Sequence, residues 1–149
     1  MLTTHLGLMV CPACHGDLTL GPTADASADR IIEGELRCAA CDIAYPIRGG
    51  VPRFVPAGNY AAGFGLQWNT HARTQYDSQN GTTISATRFF GQTRWPRDLR
   101  GELVLEVGSG AGRFTEQAAS TGATVVSLEY SSAVDANYAS NGGRDTPIP

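Results

Sequence analysis

The sequence predicts an α/β protein in two parts: a small β module stapled by cysteines, then the opening of a parallel nucleotide-binding type of sheet. Three observations predict this. Four cysteines fall in two pairs, Cys11/Cys14 and Cys38/Cys41. A short apolar run, LVLEV, leads into glycines at 108, 110 and 112. A second apolar run, TVVSL, ends in Glu129.

Composition narrows the function classes before any element is placed. The chain has 149 residues, enough for one ordinary domain or a small module joined to part of a larger one. No apolar run approaches the roughly 20 residues that span a bilayer, and MLTTHLGLMV has no basic n-region, so neither a membrane protein nor a secreted one is expected and the location predicted is cytoplasmic. The net charge of -3 and pI near 5.5 speak against broad attraction to nucleic acid. All 11 basic residues are arginine, which excludes a Schiff-base or P-loop lysine in this stretch.

In the first element, each C-x-x-C lets two sulfurs of one turn face a single ion, and two such turns complete a tetrahedral S4 site that favours zinc and, less often, iron. Cys11, Cys14, Cys38 and Cys41 are therefore the expected ligands of a structural zinc. Gly16 follows the first pair where amides must fold back towards sulfur. Apolar and polar residues alternate at Leu18 and Leu20, at Ile32 and Leu36, and at Ile43, Tyr45 and Ile47, which predicts short antiparallel strands. Between them GPTADASADR is a polar hairpin tip. Two disulfides are the competing reading; the absence of a secretion signal and the adjacency of the pairs argue against it. With four thiolates filling the shell, His15 is not needed as a ligand, and His5 and His71 read as ordinary surface or core histidines.

CPACHGDL followed by LRCAACDIAYPIRGGVPRFVP resembles the short zinc-ribbon family that includes the activator subunit of tRNA and protein methyltransferases. The resemblance covers most of residues 8–56. It implies a ribbon that is structural and holds a partner or a neighbouring domain, with no open ligand position for Lewis-acid chemistry.

Pro56 to Asn59 reads as a break. Tyr60, Phe64, Trp68, Ala72 and Tyr76 recur every four residues, the face of a helix whose regular part should begin near Leu66 because Gly63 and Gly65 weaken its first turn. That face either packs on a core or forms a lid over an adenosine-type ligand, with Trp68 or Gln75 near it. Asn80-Gly81 marks a turn, Ser85 is the expected cap of a helix through Phe89 and Phe90 to Thr93, and Trp95-Pro96 ends it. Leu103–Val107 is predicted to be a strand buried on both faces. Arg113 to Thr121 is the next helix, stopped by Gly122. Thr124–Leu128 is the second strand, and Ser131 or Ser132 caps a final helix before Gly142-Gly143.

The glycines run G-x-G-x-G, whereas a dinucleotide fingerprint needs its third glycine one position later, where Arg113 stands. Nicotinamide and flavin binding are thereby disfavoured. E-x-G-x-G-x-G at the end of the first strand, with an acid ending the second, resembles class I S-adenosylmethionine-dependent methyltransferases of the bacterial type that carry this same ribbon. The lead-in WNTHARTQYDS and ATRFFGQTRW is similar to their pre-strand helices. The resemblance implies a zinc-ribbon β module followed by the first βαβα portion of a Rossmann-like methyltransferase domain, its sheet incomplete. Three domains follow: ribbon at 1–57, helical connecting or lid segment at 58–100, and truncated S-adenosylmethionine-binding domain at 101–149. It assigns Gly108, Ser109, Gly110 and Gly112 to the cofactor, Glu129 to its ribose hydroxyls, and Glu106 to ordering the loop and to the cofactor's amino group through water. No catalytic base is assigned, because the strands that would carry the acceptor pocket are missing. GGRDTPIP is too polar to start a third strand, so the chain is expected to be a fragment. The methyl acceptor is unidentified, and a protein partner through the ribbon is possible. A non-enzymatic zinc-ribbon adaptor that docks or activates a partner is the alternative function.

Overall fold

The computed structural model describes residues 1–21, 25–27, 29–56 and 58–142, the backbone alone at 25–27. The described residues divide into two units, one ending at Pro56 and the other starting at residue 58.

The first unit opens with a 3-10 turn, Thr3–Leu8, followed by strands β1 (Leu18–Leu20), β2 (Asp25–Ser27), β3 (Arg30–Cys38), β4 (Ala44–Arg48) and β5 (Val51–Pro52). All pair antiparallel in the order β1-β3-β4-β5, with β2 also on β3. The register sets Leu18 opposite Cys38 and Leu36 opposite Tyr45. Buried Tyr45 and Ile47 alternate with exposed neighbours along β4, as the pattern predicts, while Ile43 before it stays exposed. The polar tip is partly a strand, since Asp25–Ser27 pairs with β3; Pro22–Ala24 and Ala28 lie outside the described residues.

Met1, Leu18, Ile31, Leu36, Tyr45 and Ile47 form the core together with Cys11 and Cys38. So few side chains bury too little apolar surface for stability by themselves, which is why a metal cross-link matters here. The α-amine of Met1 is folded into the unit, donating to the carbonyls of Ile31 at 2.8 Å and Gly50 at 2.5 Å. Burial, with Arg30 nearby, lowers its pKa to about 6.

The second unit runs α1 (Ala62–Thr70), α2 (Asp77–Asn80), α3 (Ile84–Thr93), β6 (Leu103–Val107), α4 (Arg113–Ala119), β7 (Thr124–Leu128) and α5 (Ala133–Asn141). Strands β6 and β7 are parallel and in step from Leu103↔Thr124 to Val107↔Leu128. This is the βαβα order predicted. Residues 143–149, including the stretch expected to form no third strand, lie outside the described residues.

Three expectations change. Helix α1 begins at Ala62, before Leu66, and ends at Thr70, so Ala72 and Tyr76 are not on its face. Instead Tyr76 is buried, 3 % exposed, from the extended N-cap position of α2. Ser85 does not cap α3 with its side chain: its hydroxyl donates to the Gln75 carbonyl at 3.0 Å. Asp77 does the capping from outside the helix, accepting from the amides of Ser85 at 3.1 Å and Ala86 at 2.8 Å and from the Thr82 hydroxyl at 2.8 Å. Finally, β6 is buried on one face only. Val104 packs with Ala118, Val125 and Phe89, whereas Leu103, Leu105 and Val107 are 58 %, 61 % and 75 % exposed. Successive strand residues point to opposite faces, and the described helices cover one of them.

Burial pushes the Asp77 carboxyl up, but the Ala86 and Ser85 amides and the Thr82 hydroxyl outweigh it and hold the pKa below the usual range. A depressed carboxyl stabilises the fold above its unfolded pKa and stops doing so as pH falls through the folded value. Asp77→Ala is expected to cost about 1 kcal/mol in urea unfolding at pH 7, with wild type and variant converging as the pH falls through the carboxyl's lowered folded-state pKa.

Candidate metal centre and glycine-loop site

The two cysteine pairs are built as the same turn. The His15 amide donates to the Cys11 carbonyl at 2.8 Å, and the Asp42 amide to the Cys38 carbonyl at 3.1 Å. Each turn is closed from the other side, Cys11 donating to the Gly16 carbonyl and Cys38 to the Ile43 carbonyl, both at 2.9 Å. His15 and Asp42 occupy equivalent places with left-handed φ of 62° and 60°. Gly16 sits between the pairs: a methyl on it would lie 2.8 Å from Ala40 Cβ and 3.4 Å from the sulfurs of Cys14 and Cys38. Glycine is required there by the close approach of the two turns.

The four sulfurs lie within 4.8 Å of one another. Cys11 and Cys41 are 3.7 Å apart and Cys14 and Cys38 3.4 Å, all four being free thiols. A tetrahedral ion with metal–sulfur bonds of about 2.3 Å sets its sulfurs about 3.8 Å apart. The cysteines are thus arranged to bind a zinc ion, and His15 takes no part in the cluster. Cys11 and Cys38 are buried; Cys14 and Cys41 are exposed. The amides of Ala40 and Cys41 point at the Cys38 sulfur at 3.4 Å. The Tyr45 hydroxyl lies 3.2 Å from the Cys11 sulfur and is the largest influence drawing that thiol down to about 6. Cys11 in turn pushes the Tyr45 hydroxyl up to about 12, so it stays a proton donor.

At the carboxyl ends of the parallel strands, the turn after β6 folds against the residue after β7. Amides of Gly108 and Ser109 donate to the Leu128 carbonyl at 2.8 and 3.2 Å. The Gly110 amide donates to Glu129 Oε2 at 2.8 Å, and the Ser131 amide and hydroxyl reach Glu129 Oε1 at 2.8 and 2.7 Å. Gly108, Ser109, Gly110, Gly112 and Glu129 therefore come together. The three glycines have φ of 77°, 54° and 93°. Gly112 allows the tightest approach, since a methyl there would collide with the side-chain amides of Asn137 and Asn141. Arg113 does not enter the helix–strand contact; its guanidinium lies 4.6 Å over the Phe114 ring and donates to Gln75 Oε1 at 3.2 Å. Around Gly108 and Gly110 the space beside the backbone is open, with Phe64 reaching Gly110 only at 4.0 Å. Ser109 Oγ is buried with no hydrogen-bond partner among the described residues.

Glu106 is held by hydroxyls from α4 and β7. Its Oε2 accepts from Thr115 at 2.5 Å and Ser127 at 2.7 Å. Thr115 Oγ1 accepts from Asn137 at 2.9 Å, and Asn137 Oδ1 accepts from Asn141 at 2.8 Å. Asn141 also donates to the Tyr76 hydroxyl at 2.8 Å and the Gly112 carbonyl at 3.2 Å, while Tyr76 donates to the Ala111 carbonyl at 2.5 Å. Tyr76, Thr115, Ser127, Asn137 and Asn141 are all but fully buried. Sequence reasoning missed Thr115, Ser127, Asn137 and Asn141, and set Tyr76 on a helix face that it does not occupy. A serine inside the apolar run TVVSL and two asparagines four apart on one helix face were the available signals.

Helix α1 also borders the opening. Asn59 donates to the Tyr130 carbonyl and Asn69 to the Ser132 carbonyl, each at 2.9 Å. Tyr60 stacks on Tyr130 with ring centres 5.3 Å apart, and Phe64 meets Trp68 edge-on.

With both sites in view, comparison with known proteins bears on the first. The profile of the Trm112p-like protein family matches residues 4–50. Members of that family are zinc-binding modules that act as methyltransferase activators or adaptors. No curated protein matches the chain. No described helix is long and apolar enough to cross a membrane.

Two outcomes follow from this geometry. Cys38→Ser is expected to lose stoichiometric zinc and the near-ultraviolet signal of a packed ribbon, measured by metal analysis and circular dichroism. Asn141→Leu orphans its buried partners and should destabilise the second unit by about 1–3 kcal/mol in denaturant titration, without changing zinc content.

Proposed function

We propose that the chain belongs to an S-adenosylmethionine-dependent methyltransferase, carrying the fused ribbon, the connecting segment 58–100 and the first cofactor motifs of the segment from 101. The observation that carries the reading is the pairing of a bare glycine loop with Glu129 across two adjacent parallel strand ends, where open α/β sheets bind their ligands. The open backbone at Gly108 and Gly110 and the buried, partnerless Ser109 hydroxyl fit a ligand lying along the turn.

When bound, S-adenosylmethionine supplies a methyl group already activated on a sulfonium sulfur. What remains for the protein is to bind, orient and exclude water. Glu129 is the acceptor for the ribose hydroxyls; each oxygen already holds an amide, so the carboxylate is aimed before the ligand arrives. Gly108, Gly110 and Gly112 let the ligand approach bare backbone. Glu106 acts at one remove, tying the loop's strand to α4 through Thr115. Tyr60, just ahead of α1, and Phe64 and Trp68 on it bring an aromatic rim, consistent with a lid. No general base is assigned.

The adaptor reading is favoured by a specific finding, the family match at residues 4–50. Under it the ribbon docks a methyltransferase, and the glycine loop has no ligand of its own.

The test is titration of S-adenosylmethionine into the zinc-loaded chain, followed by amide NMR. Shifts should concentrate at Gly108–Gly112 and at 129–131, and Glu129→Ala should weaken binding by roughly tenfold, the loss of one charge-assisted hydrogen-bond set. A folded chain whose glycine amides do not move at millimolar ligand would sink the enzyme reading and leave the adaptor.

A further inference from the structure

The two cysteine turns are near copies, with the same closing hydrogen bonds and the same left-handed residue after the second cysteine. One contact breaks the likeness. The Tyr45 hydroxyl reaches Cys11 Sγ at 3.2 Å, and among the described residues no other non-cysteine side chain is hydrogen-bonded to the cluster. Tyr45 is fixed for this role: it lies on β4 opposite Leu36, is 8 % exposed, and its ring packs on Phe54 at 5.0 Å. Little rotamer freedom is left to the hydroxyl's position.

A hydrogen bond to a metal-bound thiolate withdraws charge from the sulfur and makes it a poorer nucleophile, while fixing its orientation. Among the described residues, the exposed sulfurs of Cys14 and Cys41 have no such side-chain donor.

We infer that Tyr45 is a positioning residue of the metal centre, holding Cys11 on the ion so that metal exchange and electrophilic attack proceed from the Cys14–Cys41 side. The reacting partner on that side is a soft donor or electrophile small enough to reach two solvent-facing thiolates. This rests on the metal centre and is independent of the methyl-transfer reading.

Tyr45→Phe keeps the ring and removes the donor. In the zinc-loaded full chain, release to the chromogenic chelator 4-(2-pyridylazo)resorcinol should accelerate roughly 10-fold. In the cobalt-loaded chain the sulfur-to-metal charge-transfer band should move to lower energy, because the Cys11 lone pair rises when its hydrogen bond is lost. Faster release with an unmoved band overturns the proposal, since loosened packing alone would do that; so does an unchanged rate. Should the variant not fold, limiting iodoacetamide on the zinc-loaded wild-type chain decides the matter by peptide mass mapping. Labelling of Cys14 and Cys41 before Cys11 is expected, and Cys11 labelled first or equally overturns the inference.

Discussion

The Glu106 carboxylate, on the strand that carries the glycine loop, organises the second unit. One of its oxygens takes hydroxyls from α4 and from β7, and from there the hydrogen bonds continue through Asn137 and Asn141 to Tyr76. A partly buried carboxylate is costly unless satisfied, so its partners are held as tightly as it is. Through Asn141 and Tyr76 the same chain fixes the carbonyls of Ala111 and Gly112, the far end of the glycine loop. The near end is fixed by Leu128 and Glu129. The loop's left-handed backbone is thus clamped from both sides.

The two units solve the shortage of apolar burial differently. The apolar core beside β6 and β7 is small, with Val104, Ala118, Ala123 and Val125 at its centre, and directional polar bonds supply much of the definition. Such bonds specify one arrangement more sharply than apolar contact does, since a shift of an ångström breaks them. The first unit has apolar side chains of ordinary size, but two of its buried residues are cysteines. There the same definition comes from sulfur geometry around an ion.

Much of this was legible because the relevant residues act locally. A C-x-x-C turn, a strand ending in glycines and an acid at the end of the next strand are each short-range, and the ligand cysteines and both parallel strands were placed from them. The misjudged parts depend on distant neighbours. The period-four aromatics from Tyr60 to Tyr76 look like one helix, yet Tyr76 leaves that face because Ala111 and Asn141 offer its hydroxyl a partner. Ser85 has the look of a cap, but a carboxylate eight residues earlier reaches the helix first. An apolar strand gives no sign of how many of its faces its neighbours will cover, and β6 is bare on one. The spacing of the glycines alone leaves the identity of any ligand open.

The left-handed turns at His15 and Asp42 have a consequence for how the ribbon takes up its ion. Neither residue is glycine, so each holds a conformation that costs an L-residue about 1–2 kcal/mol. Holding both turns in this conformation draws on the affinity of the four thiolates for their ion. Metal capture is therefore cooperative between the two halves of the ribbon: the second turn closes on an ion that the first has already oriented. The strain makes the site more selective for an ion that can engage all four sulfurs, because a two-coordinate guest recovers only half of what closing requires.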